Sequence, residues 1–475
     1  MFNLLECSIK DIKFAFKFNE LTSRQLVLQY LKRIAEIDQG DIKYNSVLEV
    51  NPDALFDAEV KDHERSIGKE KGILHGIPVL LKDNINTLGK MHTTAGTKGF
   101  EHNYAPDDAF IVKRLKEEGA IILGKANLTE LANFMTQNMR NGYSSLGGEV
   151  LCPFNTSIDP SGSSSGSAVS VSLNLAPIAI GTETGGSIIS PSMQNGVVGI
   201  KPTMGLCSRT GIVPISSTLD TAGPIAKSVY DAAVLLSAMR GNDSLDLITN
   251  KKEDTFIDYT EFLNDVKPKS LRIGIDRSYY DILSSKRKDV FNHTLELLKK
   301  NGVTIIEDLE LKPSTKIFHV MLYEFKQVFN TYLASLKTAT KIKTLNELIL
   351  FNRANEKACL KYGQSVIEEA QYKTSGHCNE LKYIESLEER SELRSMLHKT
   401  FKDNNLDAIY FANYTSLGPH CGYPAMTVPI GIAEDNIPVG SYLLGSEFGE
   451  PRLLKVAQLF ENITKGRINP LKKED

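Results

Sequence analysis

Paired cysteines, a long apolar run and an excess of either charge are all missing from this 475-residue chain. The six cysteines (Cys7, Cys152, Cys207, Cys359, Cys378 and Cys421) lie far apart with no CxxC pair. That spacing carries no zinc signature and, in a chain this long, argues against a disulfide scaffold. Each is read as a free, small hydrophobe, and the compartment as a reducing cytoplasm. The opening segment, Met1 to Lys10, has neither a basic start nor a long apolar stretch, so no signal peptide is expected. The most apolar run, Leu173–Gly181, is far too short to span a bilayer. With 55 Lys+Arg against 58 Asp+Glu the formal net charge is −3, so neither nucleic acid nor an anionic membrane is required as the main partner. Internal repeats are absent as well.

What remains is ordinary globular usage. Apolar residues make up 41% of the chain, which excludes disordered and fibrous classes. The length admits one large domain or two to three smaller ones. Near the start, Thr22-Ser23-Arg24-Gln25 has capping-box form, and Val27, Tyr30, Leu31 and Ile34 mark one apolar helix face. Ile77–Lys82 and Ala120–Leu123 are short apolar runs suited to buried strands, with a helical pattern at Phe110–Glu118 between them. Such alternation continues to about Gly241 and predicts an α/β architecture. Asn242–Ser270 is polar and reads as a linker or surface loop. Strands follow at Leu271–Ile275 and Val303–Ile306 around a helix at Lys288–Lys300. A largely helical stretch then covers Ile317–Lys402. Further strands fall at Asp407–Phe411 and Gly440–Leu444, before a helix at Arg452–Phe460.

One serine-glycine cluster stands out. Ser161-Gly-Ser-Ser-Ser-Gly-Ser167 has the composition of a flexible linker. Apolar segments bound it closely, however, and a second knot follows at Gly181-Thr-Glu-Thr-Gly-Gly-Ser187. Two glycine-rich loops around a buried element suggest backbone wrapped about a small ligand. Gly162–Gly166 resembles a GxSxG nucleophile elbow, but the strand before it is poor. None of the nine histidines (His63, His75, His92, His102, His293, His319, His377, His398, His420) sits in a convincing local motif. Neither loop has a phosphate-binding form. A serine nucleophile without histidine needs another base, and a buried lysine qualifies because burial lowers its pKa.

Lys82-Asp-Asn84, Gly162–Ser167 and Gly181–Ile188 together resemble the amidase signature family of serine hydrolases. The likeness continues through Gly199–Thr203, Ser208-Arg209 and Asp220–Pro224 to Gly422–Pro429, and spans about Leu21 to Asn469. It implies a single large α/β domain in which a mixed central sheet is covered by helices on both faces. Residues 1–65 would form an N-terminal helical segment packed on the core. Residues 66–475 would be the signature domain, with a loop near 242–270 and a helical embellishment near 317–402.

The resemblance also implies roles. Members use a nucleophilic serine, a second serine in cis peptide geometry and a lysine, which map to Ser187, Ser163 and Lys82. The interval of 24 residues from Ser163 to Ser187 favours Ser163 over its neighbours. Neutral Lys82 would take a proton from Ser163, and Ser163 one from Ser187, whose Oγ attacks the amide carbonyl. Backbone N–H groups of Thr184, Gly185, Gly186 and Ser187 would form the oxyanion hole. Asp83, Ser164 and Arg209 are supporting residues, and Asp220 a loop-fixing one. Ser190-Pro191 is expected as the N-cap and first position of a helix. No cofactor and no metal is implied.

The chain departs from many members at Ile189, where they have Arg, and at Glu183, where they often have Asp. Gly124-Lys-Ala-Asn127, Glu130–Phe134 and Pro214-Ile-Ser216 look more like the peptide-amidase branch, although Gly185 stands where that branch often has Asp. The expected activity is hydrolysis of a small carboxamide or a C-terminally amidated peptide by a monomer or homodimer. Two alternatives stand beside it: the ammonia-producing component of a glutamyl-tRNA amidotransferase, and a non-catalytic binding or scaffold homologue.

Overall fold

A computed structural model describes residues 2–251, 257–307, 309, 311–336 and 340–471. Eleven strands form its main sheet. In chain order they are β1 (Val47–Val50), β2 (Pro78–Lys82), β3 (Ile121–Ala126), β4 (Ile178–Glu183), β5 (Val198–Lys201) and β6 (Thr221–Ala226). β7 (Arg272–Asp276), β8 (Thr304–Ile306), β9 (Ala408–Phe411), β10 (Ala425–Thr427) and β11 (Tyr442–Leu444) complete it. The spatial order is β1-β3-β2-β4-β6-β5-β10-β11-β9-β7-β8. Pairing is parallel among β3, β2 and β4 and among β9, β7 and β8, and antiparallel elsewhere, so the sheet is mixed.

β2 shows why the sequence makes these elements. Five apolar residues precede Lys82, and a parallel strand covered on both faces takes such a run without alternation. Val79, Leu80 and Leu81 are fully buried, each contributing ~1.5–3 kcal/mol of apolar burial. The helix Ser23–Arg33 starts where its capping box predicts: Thr22 accepts from the Gln25 N–H, and Gln25 returns the bond. Its Leu26, Val27 and Tyr30 enter the same core cluster as β2, β3 and β4. The helices Ile317–Ser335, Leu345–Ala354 and Ser365–Lys373 pack around a second cluster through Phe325, Phe329 and Leu348.

Two local expectations change. Within the described residues, Asn242–Ser270 forms three short 3-10 turns (Leu247–Lys251, Tyr259–Leu263, Pro268–Ser270), and Tyr259 is buried. Residues 252–256 of that stretch lie outside the described residues. The short helix after Ser187 runs Ile189–Gln194, which places Ser190 and Pro191 inside its first turn rather than at the cap. The cause is Glu183, whose Oε2 accepts from the N–H groups of Ile188 and Ile189 at 2.7 and 3.0 Å and so caps the helix earlier. Pro191 is tolerated there because first-turn N–H groups have no intrahelical acceptor.

Candidate active site

The two serine-glycine knots meet at the carboxyl ends of β2 and β4, where open α/β sheets place their ligands. The first knot is no linker. The helix Ser165–Ser172 begins inside it and is buried along its whole length. A Cβ on Gly166 would collide with the carbonyls of Asn127 and Ser46, so only glycine lets this turn approach β3. The peptide bond between Gly162 and Ser163 is cis.

Lys82 ends β2 with its side chain wholly buried. Its Nζ donates to Ser163 Oγ at 2.7 Å, to Ser164 Oγ at 3.0 Å and to the Thr182 carbonyl at 3.3 Å. Every partner is neutral. Burial therefore pushes the Lys82 pKa down to about 7, against the opposing pull of Glu183 and Asp220. Ser164 ties the knots together: its Oγ donates to the Thr182 carbonyl, and its N–H donates to the Ser187 carbonyl at 3.1 Å.

Ser187 is partly exposed, beside an exposed Gly185, whereas Ser163 and Lys82 are sealed from solvent. The loop Thr184–Ser187 turns through Gly186 at φ +111°, a conformation that L side chains rarely adopt. Tyr414 closes the space behind it, its hydroxyl 2.7 Å from where a Cβ on Gly186 would stand. Ile317 and Met321 reach within 3.7 and 3.9 Å of the equivalent position on Gly185, forming an apolar wall. Among the described residues, no hydrogen bond joins the Ser187 hydroxyl to Ser163. The structure thus unites Lys82 with Ser163 and Ser164 directly, and brings in Ser187 through its backbone.

The remaining expected residues lie one step away. Asp83 Oδ2 accepts from the Thr94 N–H at 3.2 Å and from the Thr94 hydroxyl. It also faces the buried Lys125 ammonium across 3.9 Å. It makes no hydrogen bond to the serines among the described residues. Burial raises Asp83 to about 6 and lowers Lys125 to about 8. Arg209 grips Asp246 with Nε at 2.9 Å and Nη2 at 2.6 Å, fixing the loop that returns to β6. Asp220 accepts from the Thr184 hydroxyl and from the N–H groups of Ile215 and Ser216. Arg209 and Asp220, together with Asn84, Thr182 and Pro214, line a cavity against the Thr184 turn, whereas Asp83 does not.

In the sequence Glu183 stands out only as a departure from the usual Asp. Fully enclosed, it is raised by burial, while Lys201 and the N–H groups of Ile189, Ile188 and Gly186 pull it back. An acid at a strand end, four residues before the serine, was the available signal. Tyr414, Ile317 and Met321 had none, since they come from distant segments.

The amidase family profile matches residues 25–420. An Arabidopsis thaliana protein named probable amidase is 38% identical over 98% of this chain and 91% of its own length. The solved structure of native peptide amidase from Stenotrophomonas maltophilia is 37% identical, covers 99% of each chain and superposes with a TM-score of 0.92. The A-type component of a glutamyl-tRNA(Gln) amidotransferase from Acinetobacter baumannii is 31% identical over 98% of this chain and 97% of its own.

Proposed function

The chain belongs to the amidase family and is an amide-hydrolysing enzyme, and on that premise we propose that it cleaves C-terminally amidated peptides and related carboxamides by a serine–serine–lysine relay. The observation that carries this reading is the 2.7 Å contact between buried Lys82 and Ser163 beside the partly exposed Ser187. With the amine neutral, Nζ takes the Ser163 proton while Ser163 Oγ takes that of Ser187. Ser187 Oγ then attacks the amide carbonyl. The tetrahedral oxyanion is held by the N–H groups of the Thr184–Ser187 turn, each such donor being worth about 3 kcal/mol. The relay reverses to protonate the leaving amine, releasing ammonia from a primary amide, and water hydrolyses the acyl-enzyme to the carboxylate.

Ser164 holds the two serine loops in register, Asp83 and Lys125 brace the end of β2, and Arg209 fixes the neighbouring loop. The apolar wall of Ile317 and Met321 suits an uncharged acyl group, and the likeness to the peptide amidase supports a peptide substrate. No helix among the described residues is long and apolar enough to cross a membrane. The six free cysteines fit action in a reducing cytoplasm, and we propose that the enzyme acts there as a monomer or homodimer.

Ammonia release across small amides, amidated peptides and glutamine tests the substrate class. Turnover of the amidated peptides is expected. Turnover of glutamine alone, and only with a co-purifying partner protein, would instead favour a transamidating role like that named for the Acinetobacter relative.

A further inference from the structure

We infer that a cavity beside Arg390, outside the catalytic pocket, is a second binding site that takes a small oxyanion, a carboxylate or phosphate group. The helix Leu381–Asn404 carries Arg390 and Arg394 one turn apart on the same face. Arg394 is fully engaged: Nη1 donates to the Cys421 carbonyl and Nη2 to Glu447 at 2.8 Å. Arg390 is not. Among the described residues its guanidinium has no hydrogen-bond or ion-pair partner, and its Nε is buried without an acceptor. A guanidinium stays charged and offers five donors in a planar fork, the arrangement that matches carboxylate and phosphate oxygens.

The acids nearby are already committed. Glu447 holds Arg394, and Glu324 accepts from Ser216, Thr218 and Tyr383. Arg390 and Arg394 face Glu447 around a cavity of about 290 Å³, and Glu324, bonded only to neutral donors, is a second carboxylate acting on Arg390 from nearby without a hydrogen bond to it. Gly422 lies against this wall, where a Cβ would stand 3.2 Å from Met204 Cβ and 3.3 Å from Arg390 Nη2, so the glycine lets the guanidinium approach the backbone closely. Ser217 and Thr218 complete the mouth. The loop that contributes them also gives Pro214, Ile215 and Asp220 to the catalytic cavity, so the two sites sit on opposite sides of one short segment.

The test uses the full chain and two ligand sources. Inorganic phosphate is titrated calorimetrically into the wild type, Arg390→Gln and Ser187→Ala. In parallel, kcat/KM is measured for amidated peptides carrying Asp or Glu against their Asn or Gln counterparts. A free-anion site predicts phosphate binding that survives Ser187→Ala and weakens about tenfold or more in Arg390→Gln. A substrate-borne carboxylate predicts a preference for the acidic peptides that Arg390→Gln removes. Because Arg390→Gln could disturb packing, Ser217→Asp at an exposed position supplies a competing carboxylate and should block either effect. Absence of both phosphate binding and acidic preference in the wild type overturns the inference, as does either effect persisting unchanged in Arg390→Gln or Ser217→Asp. The phosphate arm does not need amide hydrolysis, so failure of the proposed function leaves it readable.

Discussion

Lys82 Nζ lies 2.7 Å from Ser163 Oγ although 81 positions separate them in the chain, and no solvent reaches either side chain. A lysine placed this way is neutral above about pH 7 and charged below it. kcat/KM should therefore rise with pH through about 7 and level off above, because the relay needs the neutral amine. A profile that is flat, or that falls through this range, would contradict the role. The same depressed value bears on stability. Between about 7 and the ordinary 10.5 the unfolded chain binds the proton that the folded chain has lost. Lys82 thus disfavours folding at low pH, and its contribution improves as pH rises across that window.

Lys82→Ala removes the proton acceptor but leaves the Ser187 turn in place. Amide turnover should fall more than turnover of the matched ester, on the order of tenfold more, since the amine leaving group must be protonated. Paired kcat/KM values on one acyl group measure the difference. Equal losses on both substrates would contradict the relay.

Glu183→Ala deprives the Ile188 and Ile189 N–H groups of their acceptor. Losing these charge-assisted bonds should cost about 1–3 kcal/mol in urea denaturation. It should also lower kcat more than it raises KM, because the loop that orients Ser187 is loosened. Glu183→Gln keeps one carbonyl acceptor and should recover part of both.

Asp83→Ala leaves the Lys125 ammonium buried with no carboxylate facing it. Removing one member of a buried pair should destabilise the protein by about 3–5 kcal/mol. The double variant Asp83→Ala/Lys125→Met should regain part of that loss in a denaturation cycle. Additive losses would show that the pair is not coupled.

Much of this was legible in the chain where the determinants are local. The run Ile77–Lys82 announced a buried strand because each of its residues meets the same apolar surroundings. The capping box at Thr22 fixed a helix start because its partners sit three residues apart. Lys82, Ser163, Ser164 and Ser187 stood out through the resemblance, and the structure gathers their segments at one sheet end. Long-range relations were not legible. Glu183 moved the helix start from Pro191 to Ile189 through a side chain folding forward onto the turn, which no periodicity encodes. Tyr414, Ile317 and Met321 reach the glycine turn from segments more than 120 residues downstream. The helical pattern of 317–402 was readable, but the pairing of Arg394 with Glu447, which leaves Arg390 without a hydrogen bond among the described residues, depends on how the chain closes in space.

The most direct test of the central claim is to trap the acyl-enzyme and map it. The protein is reacted with an activated ester of an amino acid, quenched in acid, digested and sequenced by mass spectrometry. The acyl group is predicted on Ser187, with labelling lost in Ser187→Ala and slowed in Lys82→Ala. An adduct on Ser163 or Ser164, or undiminished labelling of Ser187→Ala, would contradict the account.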